Sequence, residues 1–206
     1  MSQTLASASP TSRIGLFGGT FDPVHQGHLH LAKLSREALE LDEVRFIPCQ
    51  ISPHKTGRSP APAKDRLEML RLATREIPWA VVDPFEIDSP APSYSVLTAR
   101  ETASREPGSR LFWIMGADQW QALTSWNEPD ALAALVEFIV LARDGHTPAP
   151  RAGYRLLIVR GEHPASASTI RASLADPSAN PPWLDPDVAR WIRERGLYTS
   201  PPVNPR

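Results

Sequence analysis

Residues 18–29, with the sequence GGTFDPVHQGHL, constrain the fold of this chain more than any other stretch. A short apolar run, residues 13–17, comes directly before them and is typical of a buried strand. Leucine and alanine residues recur at helical spacing through residues 28–39. The pattern predicts a strand that passes through a glycine corner into a helix.

The residue types in this corner suit the binding of a polyphosphate. Gly18 and Gly19 permit a tight turn and the close approach of a ligand to the backbone. Residues 26–28 fall in the first turn of the predicted helix, where free N–H groups and the helix dipole attract anions. His25 and His28 are three residues apart, so both can lie on one side of that turn and donate hydrogen bonds to phosphate oxygens.

Two other interpretations of the corner stay open at this point. It could be a capped strand-to-helix turn with two solvated histidines, which would have no function beyond folding. It could also be a zinc site formed by His25, His28 and His30. The zinc site is the weaker alternative, because no cysteine or carboxylate cluster stands at ligand spacing nearby.

Composition and charge exclude several classes of protein. The chain has 206 residues, 41% of them hydrophobic, and a formal net charge of −1, which is typical of a globular domain and not of a dedicated nucleic-acid binder. No apolar run approaches the length of a membrane span. Residues 1–12 lack the basic start and apolar core of a secretory signal, and Cys49 is the only cysteine. These features predict a cytoplasmic protein with no membrane segment and no intramolecular disulfide.

Strand and helix patterns alternate along the rest of the chain. This alternation predicts an α/β fold with a doubly wound parallel sheet, in one domain over residues 13–198. Residues 1–12 are predicted to be a disordered extension and residues 199–206 a proline-rich tail. The further predicted strands are residues 43–48, 79–84, 110–118, 137–143 and 154–159; the further helices are 63–74, 93–100 with Ser93 as N-cap, 164–174 and 185–198.

Several residues outside the corner are candidates for ligand binding, each with a plainer alternative. Lys55 could contact an anion or lie in a solvated basic loop, and Asp118 could bind a ligand or cap the helix that follows it. Trp120 and Trp126 could both be core residues, or one could stack on an aromatic ring of a substrate. Arg171 stands one turn into a helix that begins with hydroxyl residues, which could cap that helix or hold phosphates.

Four stretches, in order along the chain, together resemble the nicotinate-mononucleotide adenylyltransferase family of the His-x-Gly-His nucleotidyltransferase superfamily. They are the corner at residues 18–29, Pro-His-Lys at 53–55 with Arg-Leu-Glu-Met-Leu at 66–70, Gly-Ala-Asp at 116–118 with Trp126, and Ser-Thr-Ile-Arg at 168–171. Gly-Leu-Tyr at 196–198 also fits, and the resemblance covers residues 13–198. The chain departs from the family at residues 165–169, where the register of the first hydroxyl differs, and at Ser95, where the family usually has threonine.

The resemblance implies an enzyme of NAD biosynthesis that transfers the adenylyl group of ATP to nicotinate mononucleotide, with a Rossmann-like nucleotidyltransferase fold. It implies Mg²⁺ that arrives with ATP and no metal ligands from the protein. It also implies the following roles: catalysis by His25, His28 and Arg171; ATP binding by Gly18, Gly19, Thr20, Phe21, Gly27, Gly116, Asp118, Ser168 and Thr169; and binding of the mononucleotide by Lys55, Ser95, Trp126 and Arg143.

The sequence leaves three alternatives of function. The same chemistry could act on nicotinamide mononucleotide or phosphopantetheine, since related families share the corner. The protein could instead bind a nucleotide without turnover, or it could be a doubly wound domain with another ligand, which would make the four ordered motifs a coincidence. The expected partners are ATP and nicotinate mononucleotide, without nucleic acid or membrane, and a homo-oligomer is left open.

Overall fold

The computed structural model describes residues 11–51, 59–142, 147–176 and 178–199, which form one parallel sheet with helices on both faces. The strands are β1 Arg13–Gly19, β2 Glu43–Pro48, β3 Ala80–Val82, β4 Arg110–Gly116, β5 Val136–Ala142 and β6 Leu156–Arg160. The helices are α1 Gln26–Leu39, α2 Ala63–Thr74, α3 Phe85–Asp88, α4 Ser95–Arg105, α5 Ala117–Ala122, α6 Pro129–Leu135, α7 Ala167–Ser173 and α8 Pro186–Glu194, with a 3-10 turn at Leu123–Ser125.

Alternate residues of the central strands lie in two separate hydrophobic cores, because successive side chains of a strand point to opposite faces of the sheet. Phe17, Phe112 and Ile114 pack with residues of α1, α2, α7 and α8 on one face. Leu16 and Trp113 pack with residues of α4, α5 and α6 on the other face. The predicted doubly wound α/β fold is therefore confirmed.

The strand order places a crevice between β1 and β4. The sheet runs β3-β2-β1-β4-β5-β6, so the chain leaves β1 towards one side of the sheet and returns at β4 on the other. Ligands of open parallel sheets bind at such a switch point, outside the carboxyl ends of the strands. The glycine corner follows β1 and the Gly-Ala-Asp stretch follows β4, so both candidate stretches meet at this edge.

Some predicted boundaries are confirmed and others are wrong. Strand 43–48 and helix 63–74 have the predicted bounds, whereas the strand predicted at 79–84 is only Ala80–Val82. The helix predicted at 93–100 begins at Ser95 and ends at Arg105, with Tyr94 and not Ser93 as its N-cap. The Ser93 hydroxyl instead accepts a hydrogen bond from the Gln50 backbone N–H at 3.0 Å, which ties this loop to the end of β2.

Among the helices of the described residues, none combines the length and the apolar character needed to cross a membrane.

Candidate active site

The two histidines of the corner lie side by side at the start of α1. His25 is the N-cap of this helix and has an extended backbone, with φ −149° and ψ 169°. The backbone N–H of His25 donates to Nδ1 of His28 at 3.2 Å, and the two imidazole rings stack with centroids 3.8 Å apart. The predicted pairing of these imidazoles is thus present in the fold.

Burial sets the protonation state of His25. Only 8% of this residue is exposed, and that burial lowers the pKa of His25 to about 4, with a further lowering from the nearby His163 and a partial opposing effect of a backbone hydrogen bond. His25 is therefore neutral at physiological pH. Its Nδ1 atom is buried and has no hydrogen-bond partner among the described residues.

Two glycines of the corner pack closely against aromatic side chains. A Cβ atom on Gly18 would lie 3.0 Å from the Trp113 ring, and one on Gly27 would lie 3.0 Å from the His25 ring. Either contact would be tighter than nine in ten real Cβ contacts, so the ring beside a larger residue would have to shift by a few tenths of an ångström. Gly27 thus leaves the space that His25 needs to stand against α1.

Phe21 packs against His28 at the base of the corner. The family resemblance implies that Phe21 binds ATP, but its ring is 2% exposed and lies edge-on to His28, with centroids 5.1 Å apart. The side chain therefore belongs to the core, and only the backbone of Phe21 is left for the predicted contact with a nucleotide. Its φ of 48° turns the chain towards α1.

Arg171 reaches the corner from the far end of the chain. Its Nη1 atom donates to the backbone oxygen of Asp22 at 2.7 Å. Ser168 and Thr169 are exposed in the first turn of α7, and Ser166 is the N-cap of that helix. The Ser166 and Ser168 hydroxyls lie 2.7 Å apart and are hydrogen-bonded to each other at the start of α7.

The end of β4 carries the candidates for the second half of the site. Trp120 is fully buried and its Nε1 donates to the backbone oxygen of Ala149 at 2.9 Å, which makes it a core residue. Trp126 is half-buried and lies edge-on to Trp113, with centroids 6.4 Å apart. Because Trp113 also lies against Gly18, this tryptophan pair joins the corner to the segment after β4.

The remaining candidates differ in what the structure shows of them. Gly116 is the N-cap of α5 and Asp118 is exposed in its first turn, so the alternative of Asp118 as the helix cap is wrong. Ser95 is half-buried as the first residue of α4. Lys55 and Arg143 lie outside the described residues.

Arg66 is a site residue that sequence reasoning gave no role. Its guanidinium is 1% exposed and donates to four backbone oxygens: Thr20 at 2.7 Å, Cys49 at 2.7 Å, Gln50 at 3.1 Å and Ala61 at 2.9 Å. It thus ties the loops after β1 and β2 to the start of α2. The signal was present in the sequence, because Arg66 shares the helical spacing of Met69, Leu70 and Ala73, all of which are buried.

His163 is a second residue that sequence reasoning left without a role. Its ring lies 5.4 Å from that of His30 and 5.0 Å from that of Trp183, in the loop between β6 and α7. No short-range pattern connects this loop to α1, so only the fold shows the proximity. Across the described ranges, no group of three or more His, Cys, Asp or Glu side chains is arranged to hold a metal ion.

Comparison with known proteins agrees with this geometry. Residues 16–173 match the model of the family described as cytidylyltransferase-like. The chain is 36% identical to a probable nicotinate-nucleotide adenylyltransferase of Methylacidiphilum infernorum, over 90% of this chain and 92% of that protein. It is 38% identical to the probable nicotinate-nucleotide adenylyltransferase of Thermus thermophilus, over 90% of this chain and 99% of that protein.

A solved structure shares the fold at low sequence identity. The nicotinic acid mononucleotide adenylyltransferase of Plasmodium falciparum, complexed with NaAD, superimposes with a TM-score of 0.72 at 16% identity. The match covers 91% of this chain and 98% of that chain.

Proposed function

Because the chain belongs to the cytidylyltransferase-like family and to its nicotinate-nucleotide adenylyltransferases, we propose that its glycine–histidine corner transfers the adenylyl group of ATP to nicotinate mononucleotide. The products are deamido-NAD and pyrophosphate, which makes this an enzyme of NAD biosynthesis. The observation that carries the proposal is the convergence of His25, His28 and Arg171 beside the end of β1. We propose the cytoplasm as its compartment.

The protein contributes to this reaction by aligning the substrates and by stabilising charge on their phosphate oxygens. A phosphate oxygen of the mononucleotide attacks the α-phosphorus of ATP in line, and the bond from that phosphorus to the bridging oxygen of pyrophosphate breaks. The nucleophile is already an anion and pyrophosphate leaves without needing a proton, so the reaction requires no general base. Catalysis then comes from alignment and from hydrogen-bond donors aimed at the charge that grows on phosphate oxygens.

His25 supplies a neutral donor in the corner, and Arg171 supplies a positive charge. His25 is neutral at physiological pH, so in the free enzyme it can offer a phosphate one N–H but no full charge. The guanidinium of an arginine is a cation with a planar fork of donors, which matches phosphate oxygens. Backbone groups of the glycine corner and the hydroxyls that begin α7 complete the proposed triphosphate site: Gly18, Gly19, Thr20, Gly27, Ser168 and Thr169.

The far side of the crevice is proposed to hold the adenosine and the acceptor. Gly116 and Asp118 follow β4, where an adenosine would lie beside the backbone of the strand end. Trp126 is half-buried and thus leaves part of its ring surface for stacking on the pyridine ring. Ser95 would lie by the nicotinate, and we propose Lys55 and Arg143 for the mononucleotide phosphate.

The ion required for phosphoryl chemistry is proposed to arrive with ATP. Mg²⁺ keeps several waters and is usually held by substrate phosphates with few protein ligands. The donor set around the corner, two imidazoles and a guanidinium, fits phosphate oxygens better than a magnesium ion. Mg²⁺ would neutralise part of the triphosphate charge while these side chains hold its oxygens.

An acceptor comparison tests the proposal. Purified protein is given ATP and Mg²⁺ with nicotinate mononucleotide, nicotinamide mononucleotide or phosphopantetheine, and pyrophosphate release is measured. We expect release with nicotinate mononucleotide at a kcat/KM well above that for the other two. Preference for another acceptor would change the assigned substrate, and ATP binding without pyrophosphate release for any acceptor would refute the proposed function.

A further inference from the structure

The side chain of Asp22, inside the corner, receives contacts from three distant parts of the chain. Its Oδ1 atom accepts hydrogen bonds from the Tyr198 hydroxyl at 2.6 Å and from the Ala61 backbone N–H at 3.0 Å. Its Oδ2 atom lies 3.8 Å from Nη1 of Arg171. The residue itself is 8% exposed, so these contacts are made in a largely dry environment.

The distance between Asp22 and Arg171 shows that their ion pair is incomplete. A charge-assisted N–H···O bond has a length of about 2.7–2.9 Å, well below the 3.8 Å found here. The Nη1 atom of Arg171 donates instead to the backbone oxygen of Asp22 at 2.7 Å, and its Nε is buried without a partner among the described residues. The guanidinium is therefore placed by the corner backbone and is not neutralised by a bidentate carboxylate.

The Tyr198 hydroxyl holds one oxygen of the Asp22 carboxylate. It follows Gly196 in the turn after α8, and both residues have left-handed backbone, with φ of 64° and 60°. Burial raises the pKa of the Tyr198 hydroxyl and the charge of Asp22 raises it further, so the hydroxyl stays protonated and acts as a donor. Together with Ala61, it occupies Oδ1 and fixes the rotation of the carboxylate.

We propose that Tyr198 is a positioning residue for ATP binding, which holds the Asp22 carboxylate back so that Arg171 stays available to phosphate oxygens. Without the hydroxyl, the carboxylate turns towards Arg171 and closes the ion pair. A closed pair competes with the triphosphate for the same guanidinium. The inference rests on the proposed function, since it takes Arg171 to bind ATP.

The chain offers a matched control for this inference. The Tyr154 hydroxyl donates to Oδ1 of Asp130 at 2.5 Å, which is an exposed bond between the same two groups. Tyr154 stands just before β6, at the amino edge of the sheet and away from the carboxyl edge that carries the corner. Tyr198→Phe and Tyr154→Phe thus each remove one hydroxyl and keep the ring.

The experiment measures the dissociation constant of a non-hydrolysable ATP analogue by calorimetry, with no acceptor present. We expect roughly tenfold weaker binding in Tyr198→Phe, because the closed pair between Asp22 and Arg171, a hydrogen bond between charged groups, must break before the triphosphate binds. Tyr154→Phe should stay within about twofold of the wild type. Equal affinities in these two variants would overturn the inference.

A second arm separates positioning from general loosening of the fold. In the Asp22→Asn background no carboxylate can close on Arg171, so Tyr198→Phe should change the dissociation constant less than about twofold. The same tenfold loss in both backgrounds would contradict the inference. Because no acceptor is present, this result does not depend on which mononucleotide the enzyme uses. A failed acceptor assay would refute the proposed adenylyl transfer and would leave the role of Tyr198 in ATP binding untouched.

Discussion

The Nδ1 atom of His28 accepts a hydrogen bond from the backbone N–H of His25 across 3.2 Å. In the neutral ring of His28, the proton is therefore on Nε2. The bond also fixes the ring against its neighbour, with stacked centroids 3.8 Å apart. The motif thus holds one imidazole in a defined orientation and tautomer, as a phosphate donor requires.

The buried His25 gives the protein a pH-dependent stability. The ordinary pKa of 6.5 is lowered to about 4 in the folded state, so between these values the unfolded chain binds more protons than the folded one. The free energy of unfolding should therefore fall as the pH falls from 6.5 to 4, by roughly 3 kcal/mol from this residue. Chemical denaturation over this range should show that loss in the wild type and not in His25→Gln; equal slopes in both proteins would show that His25 is not the cause.

Arg66 should contribute to stability through the four carbonyl groups that it holds. Arg66→Met leaves those oxygens without their donor and should lower the free energy of unfolding by at least about 3 kcal/mol. Arg66→Lys should recover less than half of the loss, because an ammonium group cannot present the planar fork. The measurement is urea denaturation.

A control for Arg66 stands on the same helix. Arg71 is exposed and lies 3.5 Å from Glu68, so Arg71→Met should change the free energy of unfolding by less than about 1 kcal/mol. Similar losses in the Arg66 and Arg71 variants would contradict the role given to the buried guanidinium.

Substitution of the two tryptophans after β4 should have different effects, one on substrate binding and the other on stability. Trp126→Ala should raise the KM for nicotinate mononucleotide roughly tenfold with a small effect on stability, because this ring is half-buried. Trp120→Ala should lower the free energy of unfolding by about 3–5 kcal/mol, because its ring is fully buried. Should Trp126→Ala leave KM unchanged and destabilise the protein as Trp120→Ala does, Trp126 would be a core residue.

Local patterns predicted the parallel sheet and the strand-to-helix corner at residues 18–29, with errors in the bounds of several strands. The period of apolar residues in α2 and β2 predicts both elements with their bounds, and the glycines and histidines of residues 18–29 predict a phosphate site after β1. The resemblance to a family then assigned the chemistry, which the matches to curated relatives support.

Long-range contacts were not accessible in the same way. Arg171 meets Asp22 across 149 positions of sequence, and Tyr198 meets it across 176. His163 reaches the first helix only because β6 and α7 bring its loop there. Ser93 has the composition of an N-cap, but its hydroxyl is taken by Gln50 of another loop, so a tertiary contact overrode the local preference.

The most direct test of the central claim is the turnover of His28→Ala with ATP and nicotinate mononucleotide, beside His30→Ala as the control from the same helix. The lost donor acts mainly on the transition state, so kcat should fall by about 10²–10³ while KM and thermal stability change little. His30→Ala should keep most of the wild-type kcat. If His28→Ala turns over at a rate close to that of the wild type, the corner does not carry the adenylyl transfer.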